Sequence, residues 1–156
     1  MAQGVSLKTK FLRYWPYYIT QSLYAAGALG IFLLAIGEEK KVAVSSLAAT
    51  AFIVFATPRA VSARFRNIVG GHFTALVCGA IFLCIPLPYY LKYPAVVAVA
   101  IFVMVALDFE HPPAAGTALA VVMREIVAMD FVIILAGAVI LGLFHVLLGE
   151  RIRDLV

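Results

Sequence analysis

A chain of 156 residues that is 65% hydrophobic and only 13% charged is not an ordinary soluble domain, in which about a quarter of the residues carry charge. The expectation is a single transmembrane domain over residues 1–156, too short for an appended soluble module. The net charge of +4 is modest, and its Lys and Arg fall between apolar segments. That distribution sets membrane topology and argues against a nucleic-acid partner.

Six apolar segments follow one another. The first covers residues 17–36, with Trp15, Tyr17 and Tyr18 as an interfacial aromatic belt. Its basic flank of Lys8, Lys10 and Arg13 would suit a cleaved leader. The run is long and five more follow, so it reads as a retained helix. The second covers 42–57 and stops at Pro58; the third covers 69–85 and stops at Pro86 and Pro88. The fourth, fifth and sixth cover 94–107, 112–123 and 131–148. Since a helical crossing takes about 20 residues, the second, fourth and fifth are predicted to be short or broken. The fold class is an all-α polytopic membrane protein with six transmembrane segments.

With the N-terminus inside, six crossings put Lys8, Lys10, Arg13, Arg59, Arg64, Arg66, Arg151 and Arg153 inside. Lys40, Lys41, Lys92 and Arg124 fall outside, eight cations against four, with Glu38 and Glu39 offsetting two of the latter. Both termini are therefore expected in the cytoplasm, across an inner (plasma) membrane of a bacterium. Arg124 and Glu125 mark the outer boundary of the fifth segment.

Thr117 lies 67 positions after Thr50, and at that shift SLAATAFIVF (46–55) overlays PAAGTALAVV (113–122). Ala48, Thr50, Ala51 and Val54 meet Ala115, Thr117, Ala118 and Val121. A shift of 63 pairs Ala75 with Ala138 and Gly79 with Gly142. Three segments per unit is an odd number, so halves at 15–86 and 87–150 would have inverted topology, a recurring transporter plan. Gly71, Ala75 and Gly79 line one face of the third segment; Ala138 and Gly142 do so on the sixth, and Ala26 and Gly30 on the first. Such stripes are packing surfaces in lipid. Cys78 and Cys84 read as small core hydrophobes, not a disulfide.

The polar residues concentrate in two places. Residues 108–120 read Asp-Phe-Glu-His-Pro-Pro-Ala-Ala-Gly-Thr-Ala-Leu-Ala, and two prolines at membrane depth are costly unless the break is protected. Pro112 and Pro113 suit the first turn of a helix, with His111 at its cap. A helix N-terminus attracts anions, and Ser45 and Ser46 are expected to cap the second segment in the same way. With Thr50 and Thr117 they would supply hydroxyls to an anion held without a full positive charge. The second place is Arg66-Asn67-Ile68-Val69-Gly70-Gly71-His72, where paired glycines permit a tight turn or a close backbone approach beside a donor and a titratable ring. His145 reads as an interhelical hydrogen-bonding residue and Gln21 as interhelical glue. Asp108 and Glu110 read as solvated loop carboxylates, with a proton relay to His111 as the alternative.

EHPPAAGTAL together with RNIVGGH resembles the HPP family of integral membrane proteins, named for its His-Pro-Pro motif, over residues 15–150. The resemblance implies that Asn67, Gly70, Gly71, His72, His111, Pro112, Pro113, Gly116 and Thr117 occupy the family's motif positions. Members in cyanobacteria and chloroplasts are associated with nitrite transport. Phe65 stands where members often have Pro, and Ser46-Leu47-Ala48-Ala49-Thr50-Ala51 where many read Gly-Ala-Ser-Ala. Some bacterial members also carry a C-terminal regulatory domain.

The leading expectation is a permease or channel for a small inorganic anion such as nitrite, in a lipid bilayer, with no cofactor and no resident metal. Homo-oligomerisation is left open. The competing classes are an intramembrane metal enzyme built on His72, His111, Asp108 and Glu110, and an accessory subunit of another transporter. The four residues of that enzyme come from separated segments and lack compact metal-ligand spacing.

Overall fold

The computed structural model describes residues 6–36, 41–124 and 128–156, and the expectations placed on Glu38, Glu39, Lys40 and Glu125 lie outside them. Among the described residues six α-helices appear in order: α1 (Leu7–Ile36), α2 (Lys41–Ala56), α3 (Phe65–Leu83), α4 (Tyr89–Ala106), α5 (Pro112–Arg124) and α6 (Ala128–Leu148). A 3₁₀ turn, Val61–Ala63, precedes α3. The protein is thus the expected all-helical membrane type.

Helices α1, α3, α4 and α6 are long and apolar enough to cross a bilayer. At 1.5 Å per residue, the 13 residues of α5 rise only about 20 Å, against about 30 Å of hydrocarbon. The shortness of α2 and α5 matches expectation; that of the fourth segment does not. Helix α4 has 18 residues because it starts at Tyr89 and runs through Pro94. In the same way α1 begins at Leu7 and carries Pro16 inside it, ahead of the expected start. Proline is tolerated within membrane helices, since neighbouring groups can satisfy the carbonyl it leaves bare.

Contacts give the helix directions. Phe55 of α2 meets Phe144 of α6, and Leu47 lies over Gly137, so these two helices run parallel. Gly71 faces His111 and Gly79 faces Val121, so α3 and α5 are parallel as well. Thr50 meets His111 while Ser46 meets Thr117, which makes α2 and α5 antiparallel. The main neighbours are α1 with α2, α2 with α6, α3 with α4, α5 and α6, α4 with α5, and α2 with α5.

Two large apolar clusters, and a smaller one of Leu76, Val121 and Ile134, fill the bundle. One joins Phe32 of α1 with Leu47, Val54 and Phe55 of α2 and Ala138 and Leu141 of α6. The other joins Ala75 and Cys78 of α3, Val96, Ala100 and Met104 of α4, and Ala114 and Ala118 of α5. Large apolar side chains such as Leu34, Phe102, Val132 and Leu147 point outward. That is the expected arrangement where lipid is the solvent and close backbone approach holds helices together.

Gln21 pins one end of the bundle. Its Nε2 donates to the carbonyls of Phe55 and of Arg153, the latter at 2.8 Å, and its Oε1 accepts from Arg153 N–H at 3.2 Å. The Arg153 guanidinium covers the Tyr17 ring at 4.6 Å, and Leu155 N–H bonds the Ala56 carbonyl at 2.9 Å. The first half of α1 and the chain's last residues therefore share one end. At that end His145 Nε2 donates to the Pro58 carbonyl at 2.8 Å. Gln21 and His145 thus act between helices as expected.

Two small-residue expectations need correction. Gly30 has nothing within 4 Å of where a Cβ would stand, so the Ala26–Gly30 face is not an internal packing surface. Cys78 is buried, but Cys84 is exposed because α3 ends at Leu83 and leaves it as the cap; both are free thiols.

A Cβ added at Gly79 would fall 2.6 Å from the branched Cβ of Val121. Gly79→Ala should therefore destabilise the protein by about 1–3 kcal/mol, as overpacked cores do. Gly30→Ala should change stability by no more than about 0.5 kcal/mol. Thermal unfolding of the two variants in detergent measures the difference.

Candidate functional site

The two polar motifs are two sides of one interlock. Helix α4 ends in a Schellman turn: Asp108 takes the left-handed conformation at φ 59°, Phe109 N–H bonds the Met104 carbonyl at 2.8 Å, and Asp108 N–H bonds that of Val105 at 3.2 Å. The turn sends the chain back across the start of α3. There Phe109 lies over Gly70, and a Cβ at that glycine would stand 2.6 Å from the ring. A Cβ at Gly71 would stand 2.6 Å from the Cβ of His111 and 3.1 Å from the Phe109 carbonyl oxygen. Both glycines are required by this approach, as the sequence anticipated.

Polar contacts fix the same register. Asn67 Nδ2 donates to the Glu110 carbonyl at 3.2 Å. Arg66 pairs with Asp108 at 2.6 Å, donates to the Leu107 carbonyl at 3.3 Å and covers the Phe109 ring at 5.1 Å. The ion pair is exposed and contributes little to stability by itself. Its carboxylate is turned to Arg66, so Asp108 is a surface partner and not a ligand beside His111. Among the described residues no group of His, Cys, Asp and Glu is gathered as a metal site, and the four-residue metal set does not assemble.

Behind the interlock lies a chain of buried side chains contributed by α2, α3, α5 and the segment before it. His111 Nδ1 is 2.8 Å from the Ser62 carbonyl. His111 Nε2 is 2.9 Å from Thr50 Oγ1, which is also 2.9 Å from His72 Nε2. His72 Nδ1 is 2.8 Å from Thr117 Oγ1, itself 2.9 Å from Ser46 Oγ. Thr50 Oγ1 can also donate to the Ser46 carbonyl at 3.0 Å. All five side chains are buried, His72, Thr50 and Thr117 completely. Among the described residues no buried side-chain N or O lacks a partner.

One chemical fact sets the direction of these bonds. A carbonyl oxygen can only accept, so His111 Nδ1 carries a hydrogen. With both rings uncharged, His111 Nε2 is then an acceptor and Thr50 must donate to it. Thr50 in turn accepts from His72 Nε2–H, which leaves His72 Nδ1 to accept from Thr117. The two rings thus hold opposite tautomers. Ser62, through its carbonyl alone, anchors the order, and no side-chain signal in the sequence could have singled it out.

The expected site is therefore assembled in part. His72, His111, Thr50, Thr117 and Ser46 come together; Asn67, Gly70 and Gly71 hold the approach; Pro112 and Pro113 open α5. Gly116 is exposed near the Ser46 Cβ, at 3.9 Å from its own would-be Cβ, and Ser45 is exposed. Two expectations fail. Ser45 and Ser46 are the fifth and sixth residues of α2, not its cap, because the helix begins at Lys41. The start of α5 offers no bare donor through Ala114: the prolines have no N–H, and that of Ala114 bonds the His111 carbonyl at 2.9 Å. The anion cradle of two facing helix N-termini is absent. A cavity of about 220 Å³ does adjoin the site, lined by Met104, Glu110, His111, Pro112 and Ala115 among others.

Replacing Thr50 by the isosteric Val would leave two buried imidazole nitrogens without their shared partner, a loss of about 1–3 kcal/mol. Thr20, whose hydroxyl bonds its own helix at the Pro16 carbonyl, is exposed, and Thr20→Val should change stability by no more than about 0.5 kcal/mol. Chemical unfolding in detergent compares the two.

The interlock explains why both motifs occur together, and comparison with known proteins places them in one family. The description "HPP, transmembrane region" matches residues 11–154. A curated transmembrane protein of Dictyostelium discoideum is 31% identical over 129 residues, which is 76% of this chain and 45% of that protein. The chain thus spans less than half the length of that relative. No solved structure matches. With nearly its whole length matched, and with the His-Pro-Pro and Arg-Asn…Gly-Gly-His motifs locked against each other, the chain belongs to the HPP transmembrane family.

Proposed function

We propose that the protein is a permease for a small monovalent anion, with nitrite as the substrate suggested by the family resemblance. The observation that carries this reading is the buried chain Ser46–Thr117–His72–Thr50–His111 inside a lipid-soluble bundle. Polar and ionisable groups at membrane depth are costly and mark substrate or ion paths by default. The sign of the substrate follows from the approach. Arg59, Arg64 and Arg66 are exposed around the start of α3, against the carboxylates of Asp108 and Glu110. A cationic rim concentrates anions.

The helix arrangement supports the inverted repeat that a transporter of this kind would use. Exchanging α1, α2, α3 with α4, α5, α6 turns α1–α2 into α4–α5 and α2–α6 into α3–α5, while α3–α4 maps onto α1–α6, which touch far less. The pairs α2–α5 and α3–α6 map onto themselves. Leu47 lies over Gly137, and Ala114, its counterpart 67 positions on, lies beside Gly71. Thr50 and Thr117, matched by the same shift, bracket the two nitrogens of His72. The functional centre would thus lie where the two repeats meet, as in other inverted-repeat carriers. The excess of Lys and Arg at the end holding both termini makes that end cytoplasmic in this reading.

Proteoliposomes carrying the protein should take up nitrite faster than empty ones. His111→Ala and Thr117→Val should each slow that uptake by about tenfold, the effect of one lost buried hydrogen bond. Unchanged rates in both variants would place the path elsewhere, and a cation-selective current would overturn the anion assignment. Single cysteines at Lys8 and Arg151 should be labelled from the same face of the membrane; opposite faces would contradict six crossings.

A further inference from the structure

An anion inside this bundle faces an electrostatic gap. An anion entering the bundle meets no Lys or Arg within residues 45–56 of α2 or 112–123 of α5, and no bare N–H at the start of α5 through Ala114. A negative charge at membrane depth without a counter-charge is expensive. The side chains at the centre that can become positive are the two imidazoles.

From this geometry we infer that the Thr50-bridged pair His72–His111 is a binding site for one proton, and that the permease carries one proton with each anion. The inference rests on the permease reading for its cargo, but the proton site stands on the hydrogen-bond geometry alone.

The atoms are arranged for two states. In the uncharged state the Thr50 hydrogen points to His111 Nε2. When a proton from water binds there, His111 donates from both nitrogens, to the Ser62 carbonyl and to Thr50 Oγ1. Thr50 then accepts from both rings and turns its own hydrogen to the Ser46 carbonyl, 3.0 Å away. One hydroxyl rotation satisfies every donor and acceptor in both states. No bond other than the N–H forms, and the site gains one positive charge. A second proton has no place: His72 Nδ1 would have to donate to Thr117, while Thr50 would already be accepting from two cations about 5 Å apart, with ring centroids at 5.1 Å.

No fixed charge at the centre competes with this role. Within the described residues, α2 and α5 present no ionisable side chain to the pair. From α4 the neighbour is Met104, the only charge of that helix being Lys92 near its other end. Around the 3₁₀ turn and the start of α3, Arg59, Arg64 and Arg66 are exposed, and Arg66 is paired with Asp108. Glu110 is exposed and lines the cavity beside His111. His145 of α6 is bonded to the Pro58 carbonyl. A proton on the pair thus has no buried counter-charge until an anion arrives, and an anion has none until the proton binds. Each raises the affinity for the other by the same factor, which is the thermodynamic condition for coupling. The net charge carried is zero.

Two measurements on the full chain test this. The first is ¹⁵N spectroscopy of labelled histidines in nanodiscs, which reads tautomers and protonation directly. At alkaline pH His111 should be protonated at Nδ1 and His72 at Nε2, and acidification should add one proton to the pair. Thr50→Val should abolish the opposite tautomers and Thr50→Ser restore them. Two independent protonations, or tautomers indifferent to Thr50, would overturn the site. The second is nitrite uptake into proteoliposomes with an internal pH dye and a potassium diffusion potential, corrected for empty vesicles. One proton should enter per nitrite, uptake should quicken as the outer pH falls, and the potential should have no effect. Uptake that follows the potential without proton entry would overturn the coupling and leave the permease standing. No uptake above empty vesicles, with the tautomers as expected, would overturn the permease and leave the proton site.

Discussion

Thr50 has one hydroxyl, and two imidazoles on different segments both bond it at 2.9 Å. Everything polar in the middle of this molecule follows from that sharing. In lipid a buried donor or acceptor left alone costs several kcal/mol, so the three elements that bring Thr50, His72 and His111 must hold their relative positions. The close packing of α3 on α5 through Gly71, Ala75 and Gly79 sets those positions. So does the Schellman turn that carries Phe109 and His111 back across α3. The His-Pro-Pro motif is therefore better understood as the end of a turn than as the start of a helix. Its prolines begin α5 while removing the N–H groups that would otherwise need partners.

This arrangement also separates structure from function within the two motifs. Asn67, Gly70, Gly71 and Phe109 hold the approach and make no hydrogen bond to the buried polar chain. His72 and His111 use those positions to reach across to α2 and α5. A substitution at Gly71 would act through displacement of His111, since its Cβ would collide with that of the histidine. The same change would leave the ionisable groups in place but out of register with Thr50.

Much of this was legible in the residues. Pro112 and Pro113 mark the start of α5 because proline suits the first turn, and the paired glycines of α3 signal an approach that the Phe109 ring and His111 make. The 67-residue shift that matched Thr50 to Thr117 found the two hydroxyls that bracket His72. What misled was proline read as punctuation: Pro16 and Pro94 lie inside α1 and α4, where membrane helices tolerate them. Ser45 and Ser46 looked like caps because the charged run before them resembled a loop, but α2 already begins at Lys41. Ser62 was invisible, since it acts through a backbone carbonyl that every residue possesses.

The central claim is that His72 and His111 are joined through Thr50 inside the membrane. Solid-state magnetic resonance on the full chain in lipid, with labelled histidine and threonine, tests it most directly. Thr50 should show through-space contact with both imidazole Nε2 atoms. Contact with one ring alone, or with neither, would contradict the account.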